Sequence, residues 1–176
     1  MAKVTEAIHK GKALSIIYVS LSSGETTGEI VPHTLVDNGL GWHVRGYDRA
    51  RSRFADFVVN RIEAPQLLSE EIPEEQTKAA DNQWNRIVDL RIVAHPRLKH
   101  PETIELEYGM QDGALKVQTR AAVAGYVLRH WNVDCSKQHS LNGPEYHLWL
   151  QNTPTLYGVD NLQLAAGYEP EPSEIN

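Results

Sequence analysis

The 176-residue sequence lacks the features that mark disulfide-rich, membrane-spanning and secreted proteins. A single cysteine, Cys135, excludes an internal disulfide framework and is typical of a protein in a reducing cytoplasm. There is no run of about 18 apolar residues. The N-terminus, where Lys3 is followed by Glu6 and His9, lacks the pattern of a secretory signal. We therefore expect a cytoplasmic protein that does not enter the membrane.

Positive charge is also scarce. The chain has 17 lysines and arginines against 23 aspartates and glutamates, which gives a formal net charge of -6. A surface that coats duplex DNA nonspecifically needs many cations to neutralise phosphates, so this balance argues against that role. A local cationic site for a small anion is still compatible with an acidic chain.

Residue sets with catalytic or metal-binding spacing are missing as well. His33 and His43 could converge from neighbouring strands, and Cys135 with His139 forms a C-x3-H pair. Neither set has the third and fourth ligands of a zinc site. No glycine-rich phosphate loop is present, because the turn at residues 37–39 is typical of a hairpin. We predict no catalytic residues, no metal site and no cofactor.

What the chain does concentrate is arginine. The stretch GWHVRGYDRARSRFADFVVNRI, residues 41–62, holds five of the ten arginines in the sequence. Its flanking turns predict two strands here, joined by a short connection. An acidic protein with this local excess of guanidinium groups is a candidate for a local anion site.

Two sets of side chains alternate along the first of these strands. One set is apolar and is predicted to face the core: Leu40, Trp42 and Val44. The other set is rich in hydrogen-bond donors: His43, Arg45 and Tyr47. Guanidinium forks match phosphate oxygens and aromatic rings stack on bases, so the second face, with Arg61 nearby, suits a nucleotide or short oligonucleotide. The alternative, that the arginines pair with Asp48, Asp56, Glu29 and the acidic residues that follow, stays open.

The element pattern divides the chain into two domains. A helix and four short-turned strands predict a small, strongly curved sheet or barrel over residues 1–66. Prolines and acidic side chains predict a solvated linker over 67–85. Strands and helices alternate over 86–168 and predict a second, α+β domain, and the tail 169–176 is predicted to be disordered.

Both halves resemble a known family. IIYVSLSSG, IVPHTLVDNGLGWHVRGYD and DFVVNRI resemble the WYL domain, named for a Trp-Tyr-Leu triplet that reads Trp42-His43-Val44 here. LKVQTRAAVAGYVLRHWNVDCS and YHLWLQN resemble the accessory (WCX) domain that follows WYL in bacterial transcription regulators. The segments WHVR and LRHWNVD resemble those of regulators of phage-defence operons, found beside BREX and CBASS systems.

The resemblance implies a fold, partners and a mode of action. The fold is mainly β plus α+β: an Sm/SH3-like β-barrel with an N-terminal helix, followed by a small ferredoxin-like α+β domain. WYL domains are ligand-sensing modules, and the accessory domain helps to form a homodimer. DNA is bound through an N-terminal winged helix-turn-helix. That element is absent from this chain, which we expect to be either an excised fragment or a stand-alone sensor.

The resemblance also implies a set of pocket residues. Seven positions are expected to line or support the effector site: Tyr18, Ser20, His33, Trp42, His43, Arg45 and Arg61. Three positions depart from the family pattern, because Gly28, Gly41 and Ala55 stand where arginines are expected. These missing cations weaken the expected anion site.

These observations together predict the ligand-sensing and dimerising portion of a WYL-family transcriptional regulator. It would bind a nucleotide or a short nucleic-acid effector and would not be an enzyme. Two alternatives stay open: an Sm-like module that binds single-stranded RNA or DNA directly, and a nucleotide-processing enzyme.

Overall fold

The chain divides into two units, Met1–Asn82 and Gln83–Asn176, in a computed structural model that describes residues 1–170. Each unit combines a β-sheet with helices, which confirms the mixed class predicted from the sequence. Within the described residues, no helix is long and apolar enough to span a bilayer. Beyond Pro170, the tail predicted to be disordered lies outside the described residues.

Helix α1 (Ala2–Lys10) opens the first unit and ends at Gly11. Gly11 has a φ of 58°, a left-handed conformation that glycine adopts without a Cβ penalty, and its N–H reaches back to the carbonyls of Ala7 and Ile8. Val4 and Ala7 lie one turn apart and are fully buried. The helix therefore packs one apolar face against the strands that follow.

Five antiparallel strands follow: β1 (Leu14–Ser20), β2 (Gly24–Asp37), β3 (Trp42–Asp48), β4 (Arg53–Val58) and β5 (Ile62–Leu67). They pair in the order β4-β3-β2-β1-β5, so the last strand returns beside the first. Leu14, Ile30 and Val44 are almost fully buried in the core that the strands share with α1. Burial of side chains of this size stabilises a fold by about 1.5–3 kcal/mol each.

Two details of the first unit differ from expectation. The sheet is open, with β4 and β5 at its edges, so the Sm/SH3-like barrel is not confirmed. Leu40 and Trp42 are 72% and 48% exposed, so the prediction that they face the core is wrong. Leu40 lies in the β2–β3 turn and Trp42 pairs with Asp37 at the end of the hairpin, beyond the buried Val44.

Residues 68–81, which we call the strap, follow β5 and contain two short 3-10 turns, Glu74–Gln76 and Lys78–Ala80. Near its start the Leu68 N–H donates to the Ala13 carbonyl at 2.9 Å. The strap falls within the predicted solvated linker, but its last residue, Asp81, is only 1% exposed. A carboxylate is buried in this way only when it has strong partners.

The second unit is an α+β arrangement. Helix α2 (Asn82–Asn85) begins at the last residue of the first unit and is followed by β6 (Ile87–Ala94), α3 (Pro101–Glu107), β7 (Leu115–Arg120), α4 (Ala121–His130), β8 (Val133–Asp134) and β9 (Leu148–Leu150). The sheet order is β7-β6-β9-β8, with β8 and β9 parallel and the other pairs antiparallel. The strand and helix order differs from that of a ferredoxin-like fold, so that detail is not confirmed.

Strand β6 forms the middle of the second core. Its residues alternate in burial, and Val88, Leu90, Ile92 and Ala94 all point inward. Helix α4 packs against the same cluster, where Leu128 is fully buried. The apolar side chains that alternate along β6 and those on one face of α4 thus form a single core.

Candidate anion site

The polar face of β3 centres on Arg45. In register, Arg45 lies between Thr34 on β2 and Asp56 on β4. Its chain neighbour Val44 is fully buried in the core on the opposite face. Arg45 is nevertheless only 4% exposed, because the strap covers it.

The guanidinium of Arg45 grips the carboxylate of Asp81 as a fork. Its Nε donates to Asp81 Oδ2 at 2.8 Å and its NH2 donates to Asp81 Oδ1 at 3.0 Å. Its NH1 donates to Asp56 Oδ1 at 3.3 Å. Burial alone lowers the pKa of Arg45, but the two carboxylates outweigh burial and raise that pKa above its ordinary value. Arg45 is therefore permanently charged and bound on all three nitrogens.

His33 completes this cluster through an irregularity in the sheet. The β2–β3 register shifts between Pro32 and Thr34, so His33 lies at a β-bulge. Bulges redirect a side chain, and the His33 Nε2 lies 3.1 Å from the Asp81 carboxylate. Its Nδ1 lies 3.0 Å from the hydroxyl of Thr34. Asp81 thus joins two residues of the predicted site, Arg45 and His33.

A second arginine holds the strap upstream of Asp81. Arg49 donates through Nε to the Gln76 side chain at 2.9 Å, and its NH1 pairs with Glu70 in the strap and with Glu29 on β2. Burial lowers the pKa of Arg49, but its carboxylate partners reverse this and raise the pKa overall. Both ends of the strap therefore meet a guanidinium.

Three of the five arginines pair with carboxylates, which is the alternative that the sequence left open. Arg45 and Arg49 pair as described, and Arg51 pairs with Asp48 at 2.9 Å in the hairpin between β3 and β4. Arg53 is exposed on β4. The concentration of arginine in this hairpin is thus matched by carboxylates of the same unit.

Tyr18 and Ser20 make contacts of their own on β1. The Tyr18 hydroxyl accepts the Val58 N–H at 3.2 Å, and its ring meets Phe57 edge-on with 5.3 Å between centroids. The Ser20 hydroxyl accepts the Ser23 N–H at 2.9 Å and lies in the turn to β2. Both residues support the framework of the sheet in these contacts.

The three other predicted residues lie at the ends of strands. Trp42 is half exposed at the start of β3. The Nδ1 of His43 lies 3.2 Å from the side-chain nitrogen of Asn38 in the preceding turn. Arg61 is half-buried at the end of a 3-10 turn, Val59–Arg61. Their roles in binding remain predictions.

The second unit contains a buried polar pair that sequence reasoning missed. His95 and Asp134 are both fully buried, with 3.2 Å between Nε2 and Oδ2. The N–H of Arg97 donates to His95 Nδ1, so Nε2 carries the proton of the neutral ring. Asp134 also accepts the N–H groups of Ser136 and Leu141 at 2.7 and 3.1 Å. The pair fixes the loop that connects β8 to β9.

Neighbouring groups in the second unit do not provide a nucleophile or a metal site. Burial raises the pKa of the Cys135 thiol to about 12, so the thiol stays protonated and unreactive. Across residues 1–170, no three histidine, cysteine, aspartate or glutamate side chains are placed to hold a metal ion together.

Two family models match the chain in sequence order. Residues 1–67 match the WYL domain, and residues 87–156 match the C-terminal dimerization domain of the BrxR transcriptional regulator. The chain thus contains a WYL domain followed by a BrxR-type C-terminal dimerization domain. The two matches fall one in each structural unit.

Curated relatives of this WYL protein carry the name DNA-binding transcriptional repressor CapW. The one from Escherichia coli (strain KTE188) is 29% identical over 163 residues, which cover 90% of this chain and 53% of the relative. The one from Stenotrophomonas maltophilia is also 29% identical, covering 86% of this chain and 54% of the relative. This chain thus spans about half the length of the relatives.

A solved structure is more distantly similar. The Proteasome accessory factor B/C (PafBC) of Arthrobacter aurescens aligns with 71% of this chain and 22% of its own, at 19% identity and a TM-score of 0.41. A likeness of that degree supports no conclusion about this WYL protein.

The three departures from the WYL pattern do not result from lack of room at the two glycines. A Cβ built on Gly28 or on Gly41 would meet no atom within 4 Å. Ala55 pairs with Gly46 across β3 and β4 and is half-buried. Crowding around a Cβ therefore does not explain the glycine at position 28 or at position 41.

Asp81 is the site residue that sequence reasoning missed in the WYL unit. It stands 36 positions after Arg45 at the end of an acidic stretch. Nothing in strand periodicity marks a carboxylate in a loop as buried. The available signal was charge balance: one local excess of arginine followed by one local excess of acid.

Proposed function

We propose that this chain is the ligand-sensing and dimerising portion of a WYL-family transcriptional regulator. Its effector would be an anion, a nucleotide or a short nucleic acid, received by the first unit. The second unit would join two copies in a homodimer in the cytoplasm. DNA recognition would come from a winged helix-turn-helix, as the family resemblance implies, and not from either unit described here.

The observation that carries the effector proposal is the forked grip of Arg45 on a carboxylate. Guanidinium groups bind carboxylates and phosphates in the same bidentate geometry. The cluster of Arg45 and His33 already holds one anionic group, Asp81, in that geometry.

The mechanism would be a shift between two populated states. An effector that binds one arrangement of the regulator more tightly than the other moves the equilibrium by its difference in affinity. Moving such an equilibrium from about 1:99 to 99:1 requires about 5.5 kcal/mol of differential binding, which lies within the reach of a few charge-assisted hydrogen bonds.

Titration with ATP and with a 5′-phosphorylated oligothymidylate tests the proposal. Arg45→Lys keeps the charge but cannot form the fork, so we expect it to weaken binding by about tenfold or more. Arg53→Lys makes the same change at an exposed position of the neighbouring strand and is the matched control. Equal affinity of both variants and the original protein would contradict the assignment of the site to Arg45.

The salt dependence of the same titrations distinguishes a sensor from a direct nucleic-acid binder. A small effector gives a shallow decline of affinity with ionic strength, whereas tracking several phosphates along a strand gives a steep one. We expect the shallow dependence. A steep slope would instead assign the first unit to single-strand binding.

A further inference from the structure

The strap is held by polar contacts and hardly at all by apolar burial. Among residues 68–81 it is Asp81 alone that reaches full burial, and neither 3-10 turn of the strap contains a buried residue. Its polar contacts with the sheet include those of Asp81 with Arg45 and His33, those of Gln76 and Glu70 with Arg49, and the backbone hydrogen bond at its start. Segments with few buried apolar contacts open at low free-energy cost.

The strap also carries one sign of charge. It contains five acidic residues and one lysine, Lys78. Two of the acids meet guanidiniums of the β3 hairpin: Asp81 on Arg45 and Glu70 on Arg49. An anion that approached Arg45 would meet a site whose three nitrogens already have carboxylate partners.

We propose that Asp81 is a built-in competitor of the anionic effector. The carboxylate of Asp81 would be displaced from Arg45 and His33 when a phosphate group of the effector binds there, and the strap would leave the sheet. Since the next residue, Asn82, begins helix α2, release of the strap would change the restraint at the start of the second unit. This inference rests on the proposed effector function.

The test compares Asp81→Asn with the original protein. The asparagine keeps the size of the side chain and removes its charge, so the strap should open more often and leave Arg45 accessible. We expect Asp81→Asn to bind the 5′-phosphorylated oligothymidylate or ATP about tenfold more tightly, because less binding energy is used to displace the strap. Glu75→Gln, an exposed charge removal in the same strap, is the matched control and should leave affinity unchanged.

Hydrogen exchange measured by mass spectrometry provides a second readout. Without ligand, peptides covering residues 68–81 should exchange faster in Asp81→Asn than in the original protein. Saturating probe should accelerate the same peptides in the original protein. Circular dichroism checks that the variant folds, and Glu70→Gln, which loosens the strap at its exposed contact with Arg49, should give a smaller acceleration in the same peptides.

The outcomes separate this inference from the function on which it rests. If the original protein and Asp81→Asn bind the probe equally well, or if exchange in the strap does not rise on binding, the competitor role of Asp81 is wrong while the effector site stands. If no probe binds either protein, the proposed effector function fails and the inference fails with it.

Discussion

At the scale of a single residue, Arg45 has one observed role and one proposed role. It is a buried cation that its sheet could not accommodate without carboxylates, and it is the group best suited to grip a phosphate. Strand alternation in the sequence singled out Arg45 as a candidate site residue, but it did not identify Asp81 as its partner. Pairing across 36 residues depends on how the loop returns to the sheet, and no local pattern encodes that path.

Replacing Arg45 by alanine should destabilise the first unit. The change leaves Asp81 buried beside His33 without its main cation, and breaking a buried ion pair from one side costs about 3–5 kcal/mol. Urea unfolding monitored by circular dichroism measures the loss. Arg53→Ala, at an exposed position, should stay within about 0.5 kcal/mol of the original protein, and an equal loss in both variants would contradict the role of the pair.

The His95–Asp134 pair should make the second unit sensitive to acid. Burial lowers the pKa of His95, so below about pH 6.5 the unfolded chain binds a proton at this residue more readily than the folded chain does, and stability falls. Burial raises the pKa of Asp134, but hydrogen bonds led by those from Ser136 outweigh it and lower that pKa, which adds a further loss below about pH 3.8. Stability should fall by up to about 1.4 kcal/mol per pH unit for each group.

Thermal unfolding between pH 8 and pH 5 tests whether stability falls on acidification, and His95→Gln is the test variant. The lower part of this range lies below the ordinary pKa of histidine, about 6.5. The variant should be less stable at neutral pH but should lose less stability on acidification. His130→Gln alters an exposed histidine of the same unit and should retain the original pH dependence. A stability that rises as the pH falls would show that the pair is charged in the folded state.

At the scale of elements, four of the five strands of the first unit were predictable, whereas β5 and the irregularities of the sheet were not. Alternation and tight turns located β1 to β4, because a half-buried strand repeats every two residues. The bulge at His33 was not visible, since it follows from how β2 and β3 fit together. That bulge is what places an imidazole beside Arg45 and Asp81.

Gly46 is the position on which this fit depends. A Cβ on Gly46 would lie 2.5 Å from the Val31 carbonyl oxygen and 2.8 Å from the Cα of Pro32, both backbone atoms beside the bulge. Gly46→Ala should therefore push β2 and β3 apart and destabilise the unit by about 1–3 kcal/mol, as overpacking does. Denaturant unfolding measures the change, and Gly28→Ala, in open space, is the control. Equal stability of both variants would contradict this reason for the glycine.

At the scale of the whole molecule, the match to a dimerization domain leads to a prediction about assembly. We expect light scattering after size-exclusion chromatography to give the mass of two chains at micromolar concentration. Because the second unit would supply the interface, Arg45→Lys in the first unit should leave the mass unchanged. A single-chain mass at every concentration tested would contradict the homodimer.

Internal pairing of the hairpin arginines has a kinetic consequence for the molecule. With Arg45, Arg49 and Arg51 already opposed by carboxylates, little positive potential is left to draw a polyanion toward a body of net charge -6. Encounter with a nucleic-acid fragment would be slowed by long-range repulsion, and moderate salt, by shortening the reach of that repulsion, would hasten arrival. If the chain binds the proposed effector, its association rate should therefore rise when moderate salt is added.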